Sequence, residues 1–414
     1  MLTDRLRRRL AGTARTVRRH VLPHLIPRAP RRRLEAMGPA RVVGLLSSAS
    51  GLGNSGRLCI EALEAAGVAC QAIDVSAGFF AENGISFPRG TAGPRDADRG
   101  GDKSRPAIAP TIYHLNPPML LRGLVASGLL AYYRAYNIGY WAWELETVPP
   151  EWIRAIGYVD AILVPSRFCA ETLTRVTQKP VVVVPHPVPA GDEPATDRHA
   201  SRPFTALGIF NYGSSFERKN PLAIVRAFRL AFPSGQPARL ILKTSDGARH
   251  AGDALRLKRE IADDARITLV DGVWTTEQMS EALASADAYI SLHRSEGFGL
   301  TIAEAIMRGV PIVVTGWSGN LDFCDPDGAY LVGYDLVAFR DTHGDYAEIA
   351  DARWAEPSVE HAAHLLRQIS EHPDEARLRA VQCRRHLRAH LATSTYRRAL
   401  EQLQSGDPRA TGER

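Results

Sequence analysis

Two α/β halves in one chain, each built on a mostly parallel sheet, are what the 414-residue sequence predicts. Three observations carry that fold class. The length is too great for one ordinary core and comfortable for two domains. Short, almost wholly apolar runs such as "AILVPS", "VVVVP" and "PIVVT" read as strands buried on both faces, as in a sheet covered by helices. Those runs alternate with stretches of helical period in two successive series.

The elements follow in order. Residues 1–40 form a basic leader in which Leu2, Leu6 and Leu10 recur at helical spacing. The first series, residues 41–187, opens on the strand "RVVGLLSS", the helix "RLCIEALEAAG" and the strand "ACQAIDV". Residues 83–110 are rich in Gly, Pro and charge and read as an exposed loop. "TIYHLN", "YNIGYWAWEL", "AILVPS" and "VVVVP" complete the first half. A Pro-rich joint at 188–202 leads to the second half, 203–357. There "FTALGIFNY", "ARLILKT", "RITLVDG", "AYISLH", "PIVVT" and the last short strand "GAYLVG" alternate with helices such as "NPLAIVRAFRLAF", "TEQMSEALASA" and "LTIAEAIMRG". Residues 358–404 are helical and long enough to return to the first half, and 405–414 form a tail.

Composition narrows the function classes. The chain is 45% hydrophobic and 23% charged, as soluble globular proteins are. Its formal charge of +6 is concentrated in residues 1–40, where eleven arginines face only Asp4 and Glu35. The body is therefore slightly acidic and gives no warrant for a nucleic-acid surface. The five cysteines are scattered and never form C-x-x-C, so neither a disulfide framework nor a zinc site is suggested. "HVLPHLIPRAP" is broken by His and Pro and offers no signal-peptide core. A cytoplasmic protein is expected, with the leader drawn to an anionic membrane face.

Two glycine stretches stand between a strand and a helix. "GLGNSG", residues 51–56, matches G-x-G-x-x-G, and Asp74 follows at about the spacing of a dinucleotide fingerprint. That makes an NAD(P)- or FAD-dependent oxidoreductase the rival reading. The intervening "LLSSAS" loosens the tight strand-to-turn connection that fingerprint needs. The second stretch, "SEGFGLTIAEAIMRG", places Glu296 at a strand end and Glu304 one turn into a helix. Free amides of Gly297, Phe298, Gly299 and Leu300 would favour an anion there. A carboxylate beside a phosphate is repelled by it, so Glu304 suits ribose hydroxyls, and Glu296 suits hydroxyls beyond the phosphate. A sugar at each end of a diphosphate meets all three demands: a nucleotide sugar.

These residues resemble retaining glycosyltransferases of the large GT-B "group 1" family, whose signature is two glutamates separated by seven residues. "NYGSSFERKNPLAIVRAF" is similar to that family's phosphate-binding segment, and "YNIGYWAWELETVPPEW" to its first domain. The resemblance covers about residues 41–335. It implies two Rossmann-like domains facing each other across a cleft. Lys219 and Arg218 would then hold the donor diphosphate and, with Glu296 and His114, serve the reaction. Gly53, Gly297, Phe298, Gly299, Leu300, Glu304 and Val273 would bind the donor, while Glu144 and Asn116 would face the acceptor. Relatives often carry an arginine where Gly213 and Ser214 stand here, and Arg218 is the substitute at hand.

No cofactor and no metal are expected, since no D-x-D stands near a strand end. The resemblance favours mannose from GDP-mannose, given to a glycan or polyprenyl-diphosphate-linked acceptor in exopolysaccharide or lipopolysaccharide synthesis. A non-catalytic sugar-binding homologue is the remaining alternative. Trp141, Trp143 and Trp152 are read as packing residues.

Overall fold

The computed structural model describes residues 22–79, 85, 87, 107–189, 202–341, 346, 349 and 351–406. The first 21 residues of the leader, most of the 83–110 loop, most of the joint and the tail beyond 406 lie outside the described residues.

The first half is a six-stranded parallel sheet: β1 (Ala40–Gly44), β2 (Cys70–Asp74), β3 (Pro110–His114), β4 (Tyr136–Tyr140), β5 (Ala161–Val164) and β6 (Val181–Val183). Its order is β2-β1-β3-β4-β5-β6. The second half repeats the plan with β7 (Phe204–Ile209), β8 (Ala238–Thr244), β9 (Ile267–Asp271), β10 (Ala288–Ser291), β11 (Ile312–Thr315) and β12 (Tyr330–Val332), ordered β12-β11-β10-β7-β8-β9. These are the two α/β layers that the apolar runs predict. Strands β3, β4, β5, β10 and β11 are buried at every position, which is why they read as unbroken apolar runs rather than alternating ones.

The C-terminal helices Val359–Glu371, Pro373–Thr393 and Tyr396–Ser405 divide their packing. The first lies on the second sheet's core, whereas Tyr396, Ala399, Leu400 and Leu403 sit in a core cluster with Val42, Ile112 and Ile138 of the first. One feature has no counterpart in the sequence reading. β13 (Tyr334–Ala338) and β14 (Arg353–Pro357) pair antiparallel as a separate hairpin. Trp354, Ala352 and Tyr346 join the first half's core beside Trp143 and Trp152. The expectation that 334–357 lies wholly in the second domain does not cover Tyr346, Ala352 and Trp354, which reach across to the first. The three tryptophans, Trp141, Trp143 and Trp152, are fully buried packing residues. Among the described residues no helix is long and apolar enough to cross a membrane.

Candidate active site

At the C-terminal edge of the second sheet the chain leaves β7 through "FNYGSS" and makes a single helical turn, Phe216–Lys219. Ser215 and Asn220 flank that turn at φ 70° and 50°, and the Ser215 hydroxyl caps it by accepting from the Arg218 amide at 3.0 Å. This geometry aims Arg218 and Lys219 at the end of β10. The Lys219 ammonium contacts the Glu296 carboxylate directly. Arg218 donates to the Ser295 carbonyl at 2.9 Å and lies 3.1 Å from the other Glu296 oxygen. It also donates to the Ser214 carbonyl at 2.9 Å.

Electrostatics follow from burial. Taking Glu296 out of water would raise its pKa, but Lys219, Arg218 and His293 bring it down to about 2. Burial lowers the Lys219 pKa, and Glu296 opposes that fall. Burial likewise works against the Arg218 charge, yet Tyr346, Glu144 and Glu296 hold its pKa above the ordinary value.

The next stretch turns at Gly299, whose φ of 94° suits glycine and where a Cβ would come within 2.8 Å of Ile302. Gly299 is the N-cap of the helix Leu300–Met307 and has no side chain to cap it. Among the described residues, the amides of Gly297, Phe298, Gly299 and Leu300 have no acceptor. Glu304, half-buried one turn in, has no hydrogen-bond donor to its carboxylate among them either. Burial lifts its pKa to about 7, with only Arg308 pulling the other way. Tyr289, which donates to the Thr301 hydroxyl at 2.8 Å, feels the charge of both Glu296 and Glu304. Glu304 thus rides the helix that Thr301 ties to β10, and Glu296 stands just beyond the end of that strand.

The first half closes on this cluster. The Gly297 carbonyl accepts from the Ser166 hydroxyl at 2.7 Å and the Cys169 thiol at 3.3 Å. Glu144 reaches to within 3.5 Å of Arg218, its backbone carbonyl accepts from Ser295, and the Tyr346 hydroxyl donates to its carboxylate at 3.4 Å. Arg294 binds Glu356 of the hairpin at 2.6 Å. Sequence reading missed Ser166, Ser295 and Tyr346. Ser166 carries a local signal, since it caps the helix Arg167–Thr174, but nothing local announces its reach to Gly297.

Other sequence-predicted residues lie elsewhere. His114 is fully buried against Ser55 (2.9 Å) and stacked on Tyr140. Its ring is packed inside the first half, and through Tyr140 and His186 it connects to Phe298; no hydrogen bond joins it to Lys219 or Glu296 among the described residues. Burial, with His186 nearby, drops its pKa to about 3. Gly53 is also inside the fold: a Cβ there would meet the Ser48 and Leu45 carbonyls at 2.3 and 2.6 Å. It packs a helix onto a loop rather than lining the cleft wall. Asn116 accepts from the Ala142 amide at 3.2 Å and so fixes the "WAWELE" loop. Val273 is 57% exposed beyond β9. Asp74 is engaged by Leu46, Ser47 and Ser76, four donors in all, leaving it ill placed to take a ribose.

A family model described as "Family 4 Glycosyltransferase in conflict systems" matches residues 166–403, more than half of the chain and the whole of the charged cluster except Glu144. The chain belongs to that family. No curated protein matches the sequence significantly. Among solved structures, this glycosyltransferase is similar to a glycosyltransferase from Rickettsia africae (14% identity over 89% of this chain and 98% of that one, TM-score 0.59). It is also similar to a sucrose-phosphate synthase from Thermosynechococcus elongatus (17%, 72% of each chain, TM-score 0.52). A third match is S. aureus TarM with fondaparinux, α-GlcNAc-glycerol and UDP (12%, 73% of this chain, TM-score 0.51). The chain spans 55% of the length of TarM. At these identities the likeness establishes the fold: two Rossmann-like domains in the GT-B arrangement.

Proposed function

We propose that this glycosyltransferase moves a hexose from a nucleotide sugar to a glycan or lipid-linked acceptor, retaining the configuration at the anomeric carbon. One observation carries the reading. Arg218, Lys219 and the acceptor-free amides of Gly297–Leu300 converge on one edge of a sheet, with a carboxylate on either side. Two buried cations and a helix start suit a diphosphate, and Glu304 suits a ribose diol. In this reading the diphosphate draws Lys219 and Arg218 away from Glu296, freeing that carboxylate to accept from sugar hydroxyls. Charge grows on the leaving phosphate as the glycosidic bond breaks, so preorganised donors there lower the barrier most. The departing oxygen takes the acceptor proton on the same face, and Glu144, 3.5 Å from Arg218, is assigned to the acceptor side.

Mannose from GDP-mannose is the first donor to test, and a polyprenyl-diphosphate glycan the first acceptor, as in exopolysaccharide or lipopolysaccharide assembly at the cytoplasmic membrane face. TarM, crystallised with UDP, supports the nucleotide class. The oxidoreductase reading is not favoured, because Gly53 and Gly56 of "GLGNSG" are spent on packing. A panel of nucleotide sugars scored by thermal shift tests the proposal: a ligand at 100 times its Kd stabilises by about 2.7 kcal/mol. NMR of the product then reports the anomeric configuration. Stabilisation by NAD(H) alone, or binding of a nucleotide sugar without turnover on any acceptor, would overturn it.

A further inference from the structure

Lys243 is the last but one residue of β8, level with Ile209 of β7 and Val270 of β9. It is only 8% exposed. No carboxylate lies within ion-pair distance of its ammonium among the described residues, and no acceptor receives its protons. The half-buried indole of Trp274 has its ring centre 5.8 Å from the ammonium. Burial lowers its pKa, while Asp271 and Asp246 act at longer range to keep the charge. A buried cation without a carboxylate is costly to hold, and three donors stand ready for an acceptor.

Its position decides what that acceptor is. Alternate residues of a strand share a face, so Lys243 points to the same side of the sheet as Ile241. Ile241 packs in the cluster that contains Tyr289, Ile302 and Ile306, the layer to which the helix bearing Glu304 belongs. β10 and β8 are separated only by β7, about 10 Å from strand to strand, so the lysine faces the layer in which the helix bearing Glu304 packs. A nucleoside with its phosphate at Gly297–Leu300 and its ribose on Glu304 would extend its base toward Lys243 and Trp274.

We propose that Lys243 determines the donor's base by donating to a ring carbonyl oxygen, with Trp274 flanking the ring. Guanine and the uracil-type pyrimidine present a carbonyl where adenine and cytosine present an amino group; only the first pair can accept from an ammonium there. The inference rests on the donor reading above and adds to it the keto class of base.

Calorimetric titration of GDP, UDP, ADP and CDP into the full chain tests it. GDP or UDP should bind at least about tenfold tighter than ADP and CDP, the scale of one hydrogen bond to a charged group. Lys243→Met should reduce that preference to within about threefold while leaving ADP affinity unchanged. Lys243→Gln, which keeps a donor, should retain part of the preference, and Lys219→Met should weaken all four nucleotides alike. Tight binding without a keto preference, or a preference that survives Lys243→Met, overturns the assignment and leaves the donor reading standing. A wild-type chain that binds none of the four overturns both.

Discussion

The two glycine stretches look alike in sequence and differ in what happens to their amides. In "GLGNSG" the helix starts at Gly51 with Ser50 as its N-cap, and the Ser50 hydroxyl accepts from the Gly53 amide at 3.2 Å. The loop carbonyls of Leu45 and Ser48 then press on the bare Cα of Gly53, while Arg57 donates to Leu46 and Ser48. In "EGFGL" the N-cap is Gly299, which brings no side chain, and four amides find no acceptor among the described residues. The first stretch ties its Gly53 amide to its own cap and folds a loop against that glycine; the second has no capping side chain to take any of its amides. A glycine motif before a helix therefore signals anion binding only when no capping side chain or folded-back loop has used the donors first.

The largest effect expected from this contrast is at the second stretch. Lys219→Ala removes a cation aimed at developing negative charge, and loss of one such donor lowers turnover by about 10²–10³. It also leaves the buried Glu296 with Arg218 as its close basic side chain. Steady-state rates with the donor chosen by the thermal-shift panel provide the check. A loss smaller than about threefold would break the assignment of phosphate binding to this edge of the sheet.

Glu304 should show the next effect, through pH. Its folded pKa is raised from an ordinary 4.5 to about 7 by burial. The stability gained by keeping the proton is complete below the unfolded pKa and is lost as pH rises from about 4.5 through 7. Relative to wild type, Glu304→Gln should therefore gain stability across that window, on the order of 1–3 kcal/mol, as read from urea midpoints. Nucleoside diphosphate affinity of the wild type should rise over the same range as the carboxylate forms, and the variant should lack that rise. A flat difference between pH 4.5 and 7 would remove the buried-carboxylate account.

How much of this was legible follows from how local each signal is. β10, its glycine turn and the helix carrying Glu304 are contiguous, so apolar run, turn and helical period suffice to bring the two glutamates near one edge. Arg218 and Lys219 were legible for the same reason, being fixed by the turn they sit in. The hairpin was not: "YDLVA" and "RWAEP" mix charge with apolar residues and look like loop. Only packing of Trp354 against the other half makes them strands. The burial of His114 was not legible, because a histidine ending a strand reads the same whether it faces a cleft or a core. What covers it here includes Tyr396, from the far end of the chain, whose ring lies 6.0 Å away.

The smallest effect is at Ser50, and it separates the two stretches most cleanly. Ser50→Ala deletes the hydroxyl that accepts from Gly53 and so costs about 1 kcal/mol of stability, as loss of an N-cap usually does. If the first stretch were a phosphate cradle, freeing that amide would change the affinity for nucleoside diphosphates or for NAD. The Ser48 and Leu45 carbonyls wall in Gly53 whether or not the cap is present. Denaturation should therefore register the substitution while GDP and UDP affinities stay within about twofold of wild type. A larger change in nucleotide binding with an unchanged urea midpoint would mean that the two stretches are equivalent after all, and that the folded-back loop is not what silences the first.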